Sequence, residues 1–281
     1  MFDKKENYDI QCNDRKNKEM IDNYDNIDEE CKRIRLELDA TRLPETIKTI
    51  EMYQNQEISA YNLATLLVQC DRNVDFPRIL FDFIVNLYEH SIAIGDDNAM
   101  NDLGALYYDG RGCEQDFTKA FYYYDMAAKR GNQQAQENLG YCYYYGRSIP
   151  IDYEKAFQYF ALGAFTGHLI SLYKIGDMYM NGYYVEMNPY EAFRIYEHCI
   201  QTMTVEDAQA VAGPVFLRLG SAFLLGKGTE KNARSALICF QQAELYLYDM
   251  VTHGKWMYEK SLQEAVEGQE KARKTLAIPI S

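Results

Sequence analysis

The stretch NDLGALYYDGRGCEQDFTKAFYYYDMAAKRG, residues Asn101–Gly131, decides how this chain folds. Each of its halves places apolar residues three to four positions apart, which is the spacing of one buried face of an α-helix. Gly110 and Gly112 lie between the halves and predict a tight turn. The same glycines beside five tyrosines would also suit a phosphate loop with aromatic stacking, so the stretch has an architectural and a chemical interpretation.

A periodicity along the chain favours the architectural interpretation. The pair Leu103-Gly104 recurs as Leu139-Gly140, Ile175-Gly176 and Leu219-Gly220, and the glycines of these pairs are separated by 36, 36 and 44 residues. A turn glycine and an alanine recur at the same separations. The three columns are Gly104, Gly140, Gly176 and Gly220; Gly110, Gly146, Gly182 and Gly226; and Ala120, Ala156, Ala192 and Ala236. Such a fixed period indicates a repeat architecture in which each unit buries its apolar face against its neighbours.

Each repeat unit is predicted to be a helix, a turn and a second helix. The first glycine lies inside the first helix, where it costs about 1 kcal/mol relative to alanine, so its recurrence indicates the close approach of another helix. The second helix follows a side chain suited to N-capping, at Asp116, Asp152, Asn188 and Asn232. An aromatic residue of that helix is predicted to be core, at Tyr124, Phe160, Tyr196 and Phe240.

The pattern A-x-x-x-L-G-x-x-Y-x-x-G-x-G, followed by D-x-x-K-A and aromatic residues, resembles the Sel1-like (Sel-one-like) repeat, an αα-repeat related to the tetratricopeptide repeat. The resemblance extends over Ala99–Gly131, Ala135–Gly167, Ser171–Thr202 and, more loosely, Val215–Tyr246. It implies an all-α fold, a right-handed αα-superhelical solenoid of about four to five repeats with an N-terminal helical segment and a C-terminal capping helix. Because this family serves many partners, the resemblance implies no particular one.

Four segments are predicted along the chain. Residues 1–40 form a charged N-terminal segment, partly helical or flexible, because charged and amide side chains outnumber apolar ones there. Residues 41–98 form N-terminal helices that include a degenerate repeat at Ser59–Gly95. Residues 99–250 hold the repeats, and residues 251–281 form a C-terminal capping helix and tail.

The bulk composition narrows the classes of partner. The formal net charge is −13 and the pI is about 4.8, whereas binding to nucleic acid or to an anionic membrane needs a basic face. No apolar run approaches the roughly 20 residues of a membrane span, and the first residues lack the apolar stretch of a signal peptide. Seven cysteines, an odd number without a Cys-x-x-Cys pair, favour a reducing environment. We expect a cytoplasmic protein that binds neither nucleic acid nor membrane.

The sequence offers no motif for catalysis or cofactor binding. GKGTEK at Gly226–Lys231 lacks the spacing of a phosphate loop, since five residues separate Gly220 from Gly226 and Lys227 is followed by glycine. The four histidines are scattered, without a second ligand at metal spacing. We therefore expect no catalytic residue, no metal and no cofactor, and a protein that is not an enzyme.

One face of the first helices is the expected binding surface. In stacked αα-repeats these helices line the concave side, and positions −5, −2, +2, +5 and +6 from the apolar residue of each pair share the face away from the core. From those positions the candidate partner-binding residues are Asn101, Tyr108, Asp109, Glu137, Tyr141, Tyr144, Tyr145, Tyr173 and Asp177. The face holds no Lys or Arg, and tyrosine gives a large contact area with few rotors to freeze. A neutral-to-basic partner would suit it.

Three functions are compatible with this face. The favoured one is a non-enzymatic interaction scaffold or adaptor that binds a protein or peptide in a tyrosine-rich, acidic concave groove. The alternatives are a small-molecule-binding or hydrolytic enzyme that uses the same groove, and an immunity-type inhibitor of a basic toxin or nuclease. Neither the oligomeric state nor the identity of the partner follows from the sequence.

Overall fold

The computed structural model describes residues 27–37, 44–70 and 78–276, so most of the charged N-terminal segment and the last five residues lie outside the described part. Within it the protein consists of helices and turns, without a β-strand. The helices are α1 (Ile27–Glu37), α2 (Pro44–Gln54), α3 (Ala60–Cys70), α4 (Arg78–Ala93), α5 (Asp97–Asp109), α6 (Phe117–Lys129), α7 (Gln133–Tyr145), α8 (Tyr153–Phe165), α9 (Leu169–Asn181), α10 (Pro189–Thr202), α11 (Val205–Leu225), α12 (Ala233–Thr252), a 3-10 helix (Trp256–Tyr258) and α13 (Glu259–Thr275). The predicted all-α repeat fold is confirmed.

Contacts between helices divide the chain into two compact units, Met1–Ala135 and Gln136–Ser281, here called unit 1 and unit 2. In unit 1, α1 packs on α2 and α4 and buries Cys31 and Ile34 completely. Helices α3 and α4, which span the predicted degenerate repeat, pack together, and so do α5 and α6 of the first clear repeat. Helix pairing therefore begins before the first clear repeat.

The turns follow from the recurring glycines. Gly110, Gly182 and Gly226 end the first helices of their repeats in the left-handed conformation, with φ of 67°, 71° and 69°. Glycine adopts this conformation freely because it has no Cβ. The second helices begin with the predicted N-caps, whose side-chain oxygens accept backbone N–H groups of the first turn. These caps are Asp116, Asp152, Asn188 and Asn232.

The helical glycine and the core aromatic residue of each repeat are two halves of one contact. They are twenty residues apart in all four repeats, and the ring lies directly on the glycine. A Cβ added at Gly140 would lie 2.8 Å from the ring of Phe160, and one added at Gly176 would lie 2.6 Å from the ring of Tyr196. Gly104 with Tyr124 and Gly220 with Phe240 repeat the arrangement at 2.8 Å. The glycine column thus exists because a larger residue would displace the aromatic column.

The longer spacing before the last repeat extends a helix. Thr204 begins α11 with a capping box formed with Asp207, and the helix then continues for 21 residues through Pro214 to Leu225. This helix is long and apolar enough to cross a membrane by length and composition. The expectation that no apolar run approaches such a length is therefore wrong, since Arg218 is the one charged residue between Ala208 and Leu225. Half of its most apolar stretch is buried inside the protein.

The C-terminal helix α13 lies against the last repeat. It packs on α12 and α11, and Ala265 and Ala272 are buried in one apolar cluster with Leu217. Gly268 lies under the ring of Phe240, where an added Cβ would come within 2.6 Å. The ring of Phe240 is thus held between glycines of α11 and α13.

Candidate functional site

Three of the predicted binding residues belong to unit 1. Asp109 is exposed near the end of α5, Tyr108 is half-buried, and Asn101 is buried and donates to the Oδ1 atom of Asp102 at 3.1 Å. The ring of Tyr108 meets the ring of Phe117 edge-on, with 5.1 Å between their centroids. Asp109 therefore presents more of itself to a partner than the other two residues.

Two carboxylates of α5 have raised pKa values because they are partly withdrawn from water. The pKa of Asp102 is raised by burial, although the hydroxyl of Tyr61 donates to its Oδ2 atom at 2.9 Å. Burial also raises the pKa of Asp109, and the charge of Arg111 counteracts part of that effect. Incomplete solvation makes these carboxylates receptive to a hydrogen-bond donor or a cation from a partner.

The other six predicted residues come together in unit 2, where four of them form the tyrosine cluster, Tyr141, Tyr144, Tyr145 and Tyr173. Tyr141 stacks on Tyr145 with 6.1 Å between ring centroids, and Tyr144 meets Tyr145 edge-on at 4.8 Å. Tyr145 is 45% exposed, Tyr141 and Tyr144 are half-buried, and Tyr173 is 3% exposed. The accessible part of the cluster is thus the side on which Tyr145 lies.

A lysine ammonium lies among these rings. The Nζ atom of Lys174 is 5.2 Å from the ring centroids of Tyr144 and Tyr145, 5.3 Å from that of Tyr141 and 5.6 Å from that of Tyr173. It also donates to the hydroxyl of Tyr145 at 2.9 Å, and Lys174 is 5% exposed. A desolvated cation over aromatic faces is held by the ring quadrupoles. Lys174 therefore fixes the positions of the rings from inside.

An ion pair continues the site below the lysine. Asp177 is buried and accepts two hydrogen bonds from Arg218. The Nε atom donates to Oδ1, and the Nη2 atom donates to Oδ2 at 2.6 Å. Tyr196 donates to the same carboxylate at 2.8 Å, and the Nζ atom of Lys174 lies 3.7 Å from it. Burial raises the pKa of Asp177, but the charge and hydrogen bonds of Arg218 outweigh it, so the pKa is lowered overall. Asp177 is thus a carboxylate already neutralised within the protein.

Glu137, the remaining predicted residue, is paired as well. It is 3% exposed, and its Oε2 atom lies 3.3 Å from the Nδ1 atom of His168. Burial raises its pKa, while the hydrogen bond and charge of His168 and the charge of Lys174 act in the opposite direction. Glu137 therefore supports the site from the interior and offers little surface of its own.

The expectation that this face lacks Lys and Arg is wrong, because Lys174 and Arg218 both lie against it. Both residues immediately precede the apolar–glycine pair of their repeat. At about 100° per residue, that position lies only about 20° around the helix from position +6, so its long side chain reaches the predicted face. The signal was available in the sequence, since this position is polar in all four repeats: Asp102, Asn138, Lys174 and Arg218.

Tyr258 was also missed. It lies in the 3-10 helix before α13, near enough to Arg218, Tyr145 and Glu137 for their charges to influence its pKa, which burial raises. It belongs to no repeat column, so periodicity offers no signal for it. In the described part of the chain, no group of three or more His, Cys, Asp or Glu side chains is arranged to hold a metal ion.

The helices of each repeat are joined by a glycine turn and packed together through a glycine–aromatic contact. Such helix pairs define a protein of the αα-repeat class. The family model of the Sel1 repeat matches residues 97–132, 133–164, 169–197 and 217–244. The chain thus contains four Sel1 repeats. Proteins of this family generally mediate protein–protein interactions and are typically non-catalytic scaffolds.

Solved structures share this fold. The protein c5321, a protective antigen present in uropathogenic Escherichia coli strains that displays an SLR fold, has 17% identity and a TM-score of 0.54 over 89% of this chain and 56% of its own. A Sel1 repeat protein from Oxalobacter formigenes has 20% identity and a TM-score of 0.52 over 77% of this chain and 86% of its own. This chain thus spans little more than half the length of the E. coli protein. No curated protein matches its sequence.

Proposed function

We propose that this protein is a non-enzymatic scaffold that binds a protein or peptide on the tyrosine cluster of unit 2. The observation that carries the proposal is the ammonium of Lys174 enclosed by four tyrosine rings, with Tyr145 on the accessible side. Rings already held in position lose little conformational freedom when a partner binds. The cluster therefore has the properties of a preorganised contact surface.

The carboxylates of α5 support a second part of the proposal, which concerns the charge of the partner. Asp109 is exposed and Asp102 is half-buried, and both are incompletely solvated. They would select neutral or basic features of the partner at unit 1, because a donor or cation restores the lost solvation. In unit 2, by contrast, Asp177 is occupied by Arg218 and adds little acidic character to the surface.

The proposal is tested with a Tyr145→Ser variant. Wild-type and variant proteins serve as baits in lysate of the source cell, and a captured partner is then titrated against each by calorimetry. Loss of a central tyrosine anchor costs about 2 kcal/mol or more, so we expect affinity to fall by about 30-fold.

The matched control is Tyr190→Ser, since Tyr190 is 63% exposed at the start of α10 and no ring contact of the cluster involves it. This variant should bind as the wild type does. A partner held equally by the wild type and by Tyr145→Ser would place the binding surface elsewhere and refute the proposal.

A further inference from the structure

The guanidinium of Arg218 has donors to spare. It donates from Nε and Nη2 to Asp177, and from Nη1 to the backbone carbonyl of Pro214 at 2.8 Å. A guanidinium carries five N–H donors, so one on each terminal nitrogen is engaged by no residue of the described part of the chain. One N–H from each terminal nitrogen can bind the two oxygens of a carboxylate together.

Arg218 lines a cleft of about 330 Å³ within unit 2. The side chain of Arg218 is 25% exposed, and the apolar side chains of Met180, Leu217 and Leu225 also line the cleft. Helix α13 lines the cleft with Ser261 and Glu264. The cleft thus combines a charged group with apolar side chains in a space that suits one or two residues of a peptide.

The charges around the cleft favour an anionic group. Asp177 lines it but is neutralised by Arg218 and by Lys174. Lys227 adds a second exposed cation, and Glu264 lies 3.9 Å from Lys260 on the surface of α13. The exposed charge of Lys227 and the two spare N–H donors of Arg218 therefore remain to attract an anionic group.

We infer that this cleft binds the C-terminal carboxylate of a partner peptide whose last side chain is apolar. In such a residue the carboxylate and the side chain leave the same Cα atom, which suits a guanidinium and apolar side chains that line one small cleft. The inference rests on the proposed function in one respect, since it names the part of a bound peptide that unit 2 holds.

The test uses N-acetyl-leucine as the probe and the full chain as the protein. Three further probes separate the contributions: N-acetyl-leucinamide lacks the carboxylate, acetate lacks the side chain, and N-acetyl-isoglutamine, the α-amide of N-acetyl-glutamic acid, carries its carboxylate on the side chain. Binding is followed by the NMR signals of the Met180 methyl group and the Arg218 Nε–H group. We expect N-acetyl-leucine to bind at least about tenfold more tightly than each of the others.

Two variants locate the site. Ser261→Phe fills the cleft and should abolish binding, whereas Gln263→Phe adds the same ring at an exposed position of α13 outside the cleft and should leave binding unchanged. Arg218→Lys removes the fork but also weakens the pair with Asp177, so its melting temperature is recorded together with its affinity. These measurements do not require a fully stable Arg218→Lys variant, because Ser261→Phe leaves that ion pair intact.

Several results would overturn the inference: no binding of N-acetyl-leucine, equal binding of its amide, tighter binding of the side-chain acid, or binding that survives Ser261→Phe. The same experiments distinguish failure of this inference from failure of the scaffold proposal. If the probe does not bind while a partner still depends on Tyr145, the cleft inference fails and the scaffold stands. If the probe binds and no partner depends on Tyr145, the scaffold proposal fails and the cleft stands.

Discussion

The substitution Asp177→Asn should strongly destabilise unit 2. Asparagine keeps the volume of the side chain but removes the charge that Arg218 and Lys174 share, and it turns N–H donors toward the donors of Arg218. Removing one partner of a buried ion pair costs about 3–5 kcal/mol, because the other charge is left uncompensated. Asp177 and Lys174 are both buried, so solvent does little to reduce this cost. Two cations would be left by one substitution.

The assay is urea unfolding followed by far-UV circular dichroism, with the change in free energy taken from the midpoint at unchanged slope. The control is Asp125→Asn, which breaks an ion pair with Lys129 whose side chains are 35% and 73% exposed. That change should cost less than about 0.5 kcal/mol, as exposed helical pairs do. A cost below about 1 kcal/mol for Asp177→Asn would refute the reasoning, since it would mean that water compensates the two cations.

Three other predictions concern the same scaffold. The difference in unfolding free energy between wild type and Asp177→Asn should be constant near neutral pH and shrink as pH falls below about 4. The reason is that the pKa of Asp177 is lowered in the folded protein, so protonation at low pH removes its stabilising charge. Urea midpoints at several pH values test this, and a difference that stays constant down to low pH would contradict it. Gly176→Ala should lower the free energy of unfolding, taken from the urea midpoint, by about 1–2 kcal/mol, because the added Cβ meets the buried ring of Tyr196. This loss is expected although alanine has the better helix propensity. The near-neutral control is Gln134→Ala, at an exposed position of α7. Cys142 is buried with a pKa raised to about 12, so native protein should protect it from iodoacetamide at pH 8, as peptide mass mapping would show, and rapid labelling would count against this packing.

The fold was predictable because its determinants are periodic. Each repeat has a glycine at its turn and Asp or Asn at the N-cap of its second helix, and both residues act on backbone only a few residues away. The contact between Gly140 and Phe160 is longer in range, yet it too recurs at a fixed spacing and so left a mark in the sequence. Local chemistry repeated four times is what made the helix boundaries readable.

The site was only partly predictable, because its energetics depend on side chains from different helices. Helical periodicity placed Asp177 on the right face but gave no information on its partner, since Arg218 lies 41 residues away on another helix. The prediction of exposure was limited for the same reason, since Tyr173 belongs to the predicted face but is buried by its neighbours. Single-helix geometry assigns directions, whereas burial and pairing are decided by what lies opposite.

The polar position before each apolar–glycine pair explains how one repeat can serve different electrostatic purposes. It bears Asp102 in the first repeat and Lys174 and Arg218 in the last two, while the core columns stay the same. Because this position borders the predicted binding face but does not enter the glycine–aromatic contact, its charge can change without disturbing the packing of the helices. The two cations use that freedom to hold Asp177 and the tyrosine rings in place. An acidic chain thus has, in unit 2, two cations against its tyrosine cluster, both at the position that bears Asp102 in the first repeat.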